Sequence, residues 1–186
     1  GGSVDKIGTG VVGLGGNGQR HAHLYDAMDE TELIAVCDVI PEVAEEVAAR
    51  HGVKAFTRVE DMVADDAIQA VNVVTSASHC DPAVAAAEAG KHVLVEVPFA
   101  VTLDECDRMI AAADKTGVNL MYAQTHRFSP ENIKLKSLID DGAIGDVIWI
   151  TWTRLGAGHP GSERWSRRTE TGGGFLTYEG PHIIDQ

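Results

Sequence analysis

The 186-residue sequence contains little cysteine and is short of positive charge. Its three cysteines, Cys37, Cys80 and Cys106, are odd in number and far apart. No disulfide framework or zinc-ligand spacing is therefore visible, and we interpret them as buried thiols in a reducing compartment. Against 28 acidic residues stand 15 lysines and arginines, a formal net charge of −13. This balance argues against nucleic acid or an anionic membrane surface as a partner.

Long apolar runs and targeting signals are also absent from the sequence. No apolar stretch is long enough to span a bilayer, and no signal peptide is visible. There is no internal repeat and no low-complexity segment. We therefore expect a cytoplasmic protein without a metal site.

The strongest positive signal is a glycine-rich turn that follows the first strand-like run, residues 7–12. The turn reads Gly13-x-Gly15-x-x-Gly18, and a helix that begins near Asn17 can follow it. Gly13 permits the tight turn, Gly15 lets the backbone approach a pyrophosphate, and Gly18 lets the helix pack closely on the strand. The helix N-terminus then directs N–H groups and a partial positive charge at the phosphates. An ordinary glycine-rich turn is the alternative.

An acidic residue stands at the distance that this interpretation requires. Asp38 closes the second apolar run, residues 33–37, and lies twenty residues after Gly18. A carboxylate there accepts hydrogen bonds from both hydroxyls of an adenosine ribose and repels a 2′-phosphate. The sequence therefore predicts NAD as the cofactor rather than NADP.

Residues 7 to 123 alternate between short apolar runs and helical patterns, as βαβ units do. The predicted strands are Ile7–Val12, Leu33–Asp38, Lys54–Phe56, Ala70–Val74, His92–Glu96 and Asn119–Ala123. The predicted helices are Asn17–Met28, Pro41–Gly52, Glu60–Ala64, Asp81–Gly90 and Thr102–Thr116. Continuously apolar strands are typical of parallel sheets that are buried on both faces. We predict an α/β fold with a doubly wound parallel Rossmann sheet, within an NAD-binding domain at residues 4–124.

The pattern changes after Gln124. A helix from Ser129-Pro130 to about Asp141 is followed by a strand over Val147–Thr153, a loop over 156–174 and a helix near Gly180. One strand cannot make a stable sheet alone. Residues 125–186 are therefore expected to be the start of an incomplete α+β second domain, unless a partner completes that sheet.

Candidate ligand-binding residues lie after the strands, because open α/β sheets bind ligands outside the carboxyl ends of their strands. Thr75 and Ser76 can bond phosphate or ribose, although turn formation explains them equally well. Glu96 can bind the nicotinamide ribose. His79 is a further cofactor candidate, with a helix-initiating residue bonded to backbone as the alternative. Arg127 can contact the cofactor or the substrate, and a structural salt bridge is the alternative.

Four motifs in order make the chain resemble the glucose–fructose oxidoreductase and inositol dehydrogenase (Gfo/Idh/MocA) family over about residues 7 to 186. They are Gly13-x-Gly15-x-x-Gly18-x-x-His21, Ala89-Gly90-Lys91-His92-Val93-Leu94-Val95-Glu96-x-Pro98, Arg127-Phe128-Ser129-Pro130 and Gly172-Gly173-Gly174-x-Leu176-x-x-x-Gly180-x-His182-x-x-Asp185. The resemblance implies an enzyme that transfers hydride between NAD and a small sugar or polyol. It also implies a longer second domain, and a homo-oligomer at full length.

Two positions depart from the family pattern. The lysine that the resemblance implies at position 97 is Val97, which cannot exchange a proton, and the implied aspartate is Tyr178, whereas His182 remains. Lys91 is no substitute, because it lies roughly 16 Å upstream along a strand. If the stretch is helical, His182 and Tyr178 share a face and can act as base and proton donor.

Three functions are compatible with these residues. The first is an NAD-dependent oxidoreductase acting on a CH–OH group of a sugar or polyol, with His182 and Tyr178 as catalytic residues. The second is an NAD-dependent glycoside hydrolase or lyase that oxidises the sugar transiently, because some relatives with Glu-Val-Pro resemble such enzymes. The third is a non-catalytic NAD-binding fragment.

Overall fold

A computed structural model describes residues 5–76, 78–151, 153 and 175–185 of the chain. The chain divides into two compact units, Gly1–Ala123 and Gln124–Gln186.

The first unit is built on a six-stranded sheet whose neighbouring strands are all parallel. The strand order is β3-β2-β1-β4-β5-β6, so the chain direction across the sheet reverses between β1 and β4. This is the predicted doubly wound topology. The strands are β1 (Ile7–Val12), β2 (Thr31–Cys37), β3 (Lys54–Phe56), β4 (Ala70–Val73), β5 (His92–Val95) and β6 (Leu120–Tyr122).

Helices connect the strands, and their ends follow local sequence signals. Pro41 occupies the first turn of α2, and Gly52 ends that helix with φ near +69°. The Thr102 hydroxyl accepts a hydrogen bond from the Glu105 backbone N–H and caps α5, which ends at Gly117. The helices are α1 (Gly16–Ala27), α2 (Pro41–His51), α3 (Val59–Val63), α4 (Cys80–Glu88) and α5 (Leu103–Thr116).

Apolar side chains fill both faces of the sheet. Ala22 of α1 and Val47 of α2 pack on one face, whereas Met62 of α3, Ala86 of α4 and Met109 of α5 pack on the other. The sequences of the parallel strands are therefore apolar without alternation, because neither face of the sheet meets water.

Two of the three cysteines, Cys37 and Cys80, belong to this core. Cys37 and Cys80 are buried as predicted, and Cys106 is half-buried. Burial, with the nearby charge of Asp38, raises the pKa of the Cys37 thiol to about 12. A thiol with such a pKa stays protonated and unreactive at neutral pH.

The second unit contains a short 3₁₀ helix (Thr125–Phe128), α6 (Pro130–Asp140) and α7 (Phe175–Ile184). The helix after Ser129-Pro130 was predicted, and the Ser129 hydroxyl caps it by accepting from the Asn132 backbone N–H. The helix predicted near Gly180 begins earlier, at Phe175. The predicted loop 156–174 lies outside the described residues.

The predicted strand over Val147–Thr153 is wrong for the residues that the structure describes there. Residues 147–151 and 153 form no strand, and Ile148 and Trp149 are 92% and 83% exposed. A strand needs a neighbour to satisfy its backbone N–H and C=O groups. None of the described strands lies in this unit, so the apolar alternation has no ladder to join.

Two further searches covered the same described residues. No helix among them has the length and apolar character needed to cross a membrane. No group of three or more histidine, cysteine, aspartate or glutamate side chains among them is arranged to hold a metal ion.

Candidate functional site

The glycine turn between β1 and α1 has no room for side chains at two positions. Gly13 has φ near +89°, and a Cβ there would lie 2.7 Å from the backbone of Thr75. A Cβ at Gly18 would lie 1.8 Å from the Gly13 carbonyl oxygen. At Gly15, in contrast, a Cβ would meet no protein atom within 4 Å. The turn is therefore packed against backbone at Gly13 and Gly18 and open at Gly15, as a backbone site for a pyrophosphate must be.

The N-terminus of α1 opens into the same space. Gly15 caps the helix without any side-chain hydrogen bond, and the first turn contains no acidic residue. Gly15, Gly16 and Asn17 are all exposed. Because the first N–H groups of a helix have no partner within it, they are available to an anion here. The residues present fit the diphosphate of a dinucleotide.

Asp38 stands at the end of β2 with its carboxylate held by backbone. Its Oδ2 accepts a hydrogen bond from the Leu14 N–H at 2.7 Å, and its Oδ1 accepts one from the Ile40 N–H at 3.0 Å. A carboxylate has about four acceptor positions, so two remain for ribose hydroxyls. The bond to Leu14 also ties this carboxylate to the glycine turn.

The loop after β4 holds Thr75 and His79 by contacts to backbone carbonyl oxygens. The Thr75 hydroxyl donates to the Ser78 carbonyl oxygen at 3.2 Å, which is the turn-forming alternative, and it retains acceptor capacity for a ligand hydroxyl. Ser76 is exposed. The His79 ring is 2% exposed, with Nδ1 2.7 Å from the Pro98 carbonyl oxygen and Nε2 2.8 Å from the Thr75 carbonyl oxygen.

This geometry argues against the predicted cofactor contact by the His79 side chain. Both ring nitrogens face backbone carbonyls, and burial lowers the pKa of the imidazole despite those bonds. His79 initiates α4 and joins the loops after β4 and β5. Glu105 connects the same two loops, because its carboxylate accepts from the Ser78 hydroxyl at 2.7 Å and from the Val101 N–H at 2.8 Å.

Glu96, at the end of β5, is buried, and each of its carboxylate oxygens has one partner. His21 Nε2 lies 3.0 Å from Oε1, and the Val97 N–H donates to Oε2 at 3.0 Å. Burial alone would raise the pKa of this carboxyl. The hydrogen bonds from His21 and Val97, with the charges of His21 and His79, outweigh burial and leave the pKa below its ordinary value. Glu96 is therefore an ionised group inside the fold at neutral pH.

The hydrogen-bonded chain continues from His21 across the sheet. His21 Nδ1 lies 2.8 Å from Nδ2 of Asn72, a residue of β4 that is 2% exposed, and the same amide nitrogen donates to the Tyr25 hydroxyl at 3.2 Å. Sequence reasoning did not assign these three residues to the site. The available signals were an amide inside an otherwise apolar strand and the four-residue spacing of His21 and Tyr25 on α1.

Position 97 carries no proton-exchanging group, and Lys91 does not replace one. Val97 is buried, and only its backbone takes part in the Glu96 contacts. Lys91 precedes β5, whereas Glu96 follows it, and its Nζ donates to the Asp65 carbonyl oxygen at 3.1 Å. Lys91 and position 97 therefore lie beyond opposite ends of β5.

In the second unit, His182 of α7 and Asp185, which follows that helix, contact the 3₁₀ helix. The rings of His126 and His182 stack with centroids 4.4 Å apart and planes 15° from parallel. Arg127 donates to both carboxylate oxygens of Asp185, each at 2.6 Å, which is the structural salt bridge considered from the sequence. These contacts orient His182, which is buried. Tyr178 lies one helical turn earlier, and its side chain is outside the described residues.

Family models match most of the chain. The model of the GFO/IDH/MocA oxidoreductase family with an NAD-binding Rossmann fold matches residues 7–124, and the GFO/IDH/MocA C-terminal domain model matches residues 132–186. The chain belongs to the GFO/IDH/MocA family. The glycine turn, Asp38 and Glu96 all lie within the part that matches the NAD-binding model.

Relatives in the GFO/IDH/MocA family include several inositol dehydrogenases. The myo-inositol 2-dehydrogenase of Thermotoga maritima is 35% identical over 76% of this chain and 44% of its own length. The scyllo-inositol 2-dehydrogenase (NADP(+)) of Bacillus subtilis is 31% identical over 98% of this chain and 51% of its own length. The chain thus spans about half the length of these relatives.

Solved structures of the family share the fold at similar identity. The WlbA dehydrogenase from Bordetella pertussis, in complex with NADH and UDP-GlcNAcA, has a TM-score of 0.83 at 29% identity, covering 97% of this chain and 57% of that one. The scyllo-inositol dehydrogenase from Lactobacillus casei, with bound NAD(H) and scyllo-inositol, has a TM-score of 0.71 at 29% identity over 76% of this chain and 43% of that one.

Proposed function

We propose that this chain carries the NAD-binding domain, residues 4–124, and the beginning of the substrate domain, residues 125–186, of an oxidoreductase that acts on a CH–OH group of a sugar or polyol. The observation that carries the proposal is the glycine cradle at the N-terminus of α1, joined through the Leu14 N–H to the Asp38 carboxylate. Together they offer backbone N–H groups to a phosphate and, beside them, a carboxylate to a ribose.

A bound NAD would supply the hydride chemistry, and the protein's own residues supply position and proton handling. The carboxylate of Asp38 favours NAD, because a 2′-phosphate would meet its negative charge. Gly13, Gly15, Asn17 and Gly18 supply backbone to the diphosphate. Thr75 and Glu96 follow strands that lie on the nicotinamide side of β1, and we assign their acceptor groups to that half of the cofactor.

Proton transfer is assigned to His182, with Tyr178 as its partner. His182 is held by its stack on His126, and the Arg127–Asp185 pair joins the 3₁₀ helix to the end of α7. Residues four apart on a helix lie on the same face, and we therefore assign the Tyr178 hydroxyl to proton exchange with His182. General acid–base catalysis is typically worth about 10²–10⁴ in rate.

The names of the relatives suggest the substrate class. Those described above act on inositols or bind a UDP-sugar acid, and none of them is a glycoside hydrolase. A small polyhydroxylated ring is therefore our proposed substrate. Homo-oligomer formation at full length and a cytoplasmic location stay predictions from the sequence.

The direct test is calorimetric titration of the folded chain with NAD⁺ and with NADP⁺. We expect NAD⁺ to bind the more tightly of the two, and no heat with either would overturn the proposal. Turnover with myo-inositol, scyllo-inositol and UDP-sugars, followed by NADH fluorescence, then tests the catalytic half. NAD⁺ binding without turnover on any of these would overturn that half and support a non-catalytic NAD-binding fragment.

A further inference from the structure

A line of polar side chains, two buried and two half-buried, runs from Glu96 through His21 and Asn72 to Tyr25, and cofactor binding as proposed above does not explain it. Because Asn72 Nδ2 carries hydrogens, the His21 Nδ1 that faces it accepts a hydrogen bond. The proton of a neutral His21 ring then sits on Nε2, which donates to Glu96. One amide therefore fixes the tautomer of the histidine that holds the carboxylate.

The Glu96 carboxylate has both oxygens bound and no freedom to turn. Oε1 faces His21, and Oε2 accepts from the Val97 N–H, so the group is held in one rotamer as an anion. Burial removes the hydration of this carboxylate, and the hydrogen bonds from His21 and Val97 compensate for that loss.

The topology places this anion on the nicotinamide side of the crevice. Asp38 follows β2, the glycine turn follows β1, and Glu96 follows β5, on opposite flanks of the reversal between β1 and β4. A dinucleotide with its adenosine at β2 and its diphosphate at β1 extends its other half towards β4 and β5. The Glu96 charge therefore acts on the half of the cofactor that changes charge on reduction.

Because position 97 is valine and not the lysine of the family pattern, it carries no positive charge to offset the negative charge of Glu96. The described ion pairs of Glu96 include the His21 imidazole and no lysine. Val97 contributes only a backbone N–H. A fixed anion without an adjacent ammonium favours a cationic ring over a neutral one.

We propose that Glu96, held by His21 and Asn72 as positioning residues, makes the site bind the oxidised cofactor, whose nicotinamide is cationic, in preference to the reduced one. The inference rests on the proposed function, since it requires an NAD site. It goes beyond that function by assigning the His21–Asn72 pair a role in the redox balance of the bound cofactor. A bias of this kind lowers the reduction potential of the bound couple and makes the bound reduced form a stronger hydride donor.

The test measures dissociation constants for NAD⁺ and NADH on the same folded protein and compares their ratio. Glu96→Gln keeps the shape and removes the charge, and we expect the preference for NAD⁺ to fall by about tenfold. Glu45→Gln removes an exposed carboxylate of α2 and should leave the ratio unchanged. An unchanged ratio in Glu96→Gln, with both forms still bound, would overturn the inference and leave the proposed function standing.

His21 variants separate positioning from structural damage. His21→Leu removes the donor to Glu96, and we expect the ratio to fall, whereas His21→Gln supplies an amide N–H and should retain most of the preference. Damage to the fold would weaken both cofactor forms together and leave the ratio intact. His23→Gln, an exposed site on the same helix, is the matched control.

The remaining outcomes also decide between the two proposals. If Glu96→Gln does not fold, the ratio in His21→Leu against His21→Gln decides the inference alone, and equal ratios in those two variants would overturn it. If the unaltered, folded chain binds neither NAD⁺ nor NADH, the proposed function fails and this inference fails with it.

Discussion

Gly18→Ala tests whether α1 can approach the glycine turn only when position 18 lacks a side chain. The added Cβ would lie 1.8 Å from the Gly13 carbonyl oxygen and 2.8 Å from its carbon. Both atoms belong to backbone, so the clash cannot be relieved by turning a side chain. The helix must move by about 1 Å or more. Overpacking of this kind typically costs about 1–3 kcal/mol, occasionally more.

The assay is urea unfolding followed by circular dichroism, together with calorimetric titration of NAD⁺ on the folded protein. Gly18→Ala should lower the free energy of unfolding by that amount and weaken NAD⁺ binding, because the N–H groups of α1 move with the helix. Gly15→Ala should separate the two effects. Its Cβ meets no protein atom within 4 Å, so stability should hold while NAD⁺ affinity falls about tenfold.

Gly16→Ala is the control within the same turn. A Cβ at that position also meets nothing within 4 Å, and we expect stability within about 0.5 kcal/mol of the parent. A Gly18→Ala variant with parental stability and parental NAD⁺ affinity would refute the close-packing argument. If Gly15→Ala leaves affinity unchanged, the diphosphate does not approach the turn from its open side.

Three further predictions concern charge and proton transfer. Asp38→Asn removes the charge that opposes a 2′-phosphate, and calorimetry should show the preference for NAD⁺ over NADP⁺ falling by about tenfold. The depressed pKa of Glu96 means that its ionised form stabilises the fold above the ordinary glutamate pKa, and that this contribution declines as pH falls through the lower folded value. The difference in free energy of unfolding between the parent and Glu96→Gln should therefore be larger at neutral pH than near pH 4, and the opposite trend would refute the assignment. Val97→Lys with Tyr178→Asp should raise NAD-linked turnover on inositols above that of the parent, measured by NADH fluorescence, and no gain would argue against an otherwise intact family-type site.

Much of the first unit could be predicted because its signals are local. Apolar runs, glycines that end helices and a threonine cap fix where elements begin and end, and β3 at Lys54–Phe56 was placed correctly from its sequence alone. Parallel pairing then follows from the alternation of strands and helices. The strand predicted over Val147–Thr153 failed because pairing is not local. Alternating apolar residues indicate a strand face that another element can bury, but they do not provide the second strand with which it must pair.

The site divides in the same way. Gly13, Gly15, Gly18 and Asp38 form a motif with fixed spacing, so sequence reasoning placed them together, and their roles towards NAD stay proposals. The partners of His79 could not be read from the sequence. Its ring bonds to carbonyls four residues before it and nineteen after it, and nothing in the spacing indicates that both nitrogens are taken.

Asn72 shows why the most informative residue of the network was also the hardest to predict. An amide in a central, buried strand is unfavourable, and among the described residues its Oδ1 has no hydrogen-bond partner, a loss of about 1–3 kcal/mol. A valine there would continue the apolar strand. The amide nitrogen, however, is the group that fixes the His21 tautomer, and through it the orientation of the Glu96 carboxylate. Local rules of sequence design are broken where a site requires it, so the polar residue in the apolar strand indicates function more directly than the strand's own pattern does.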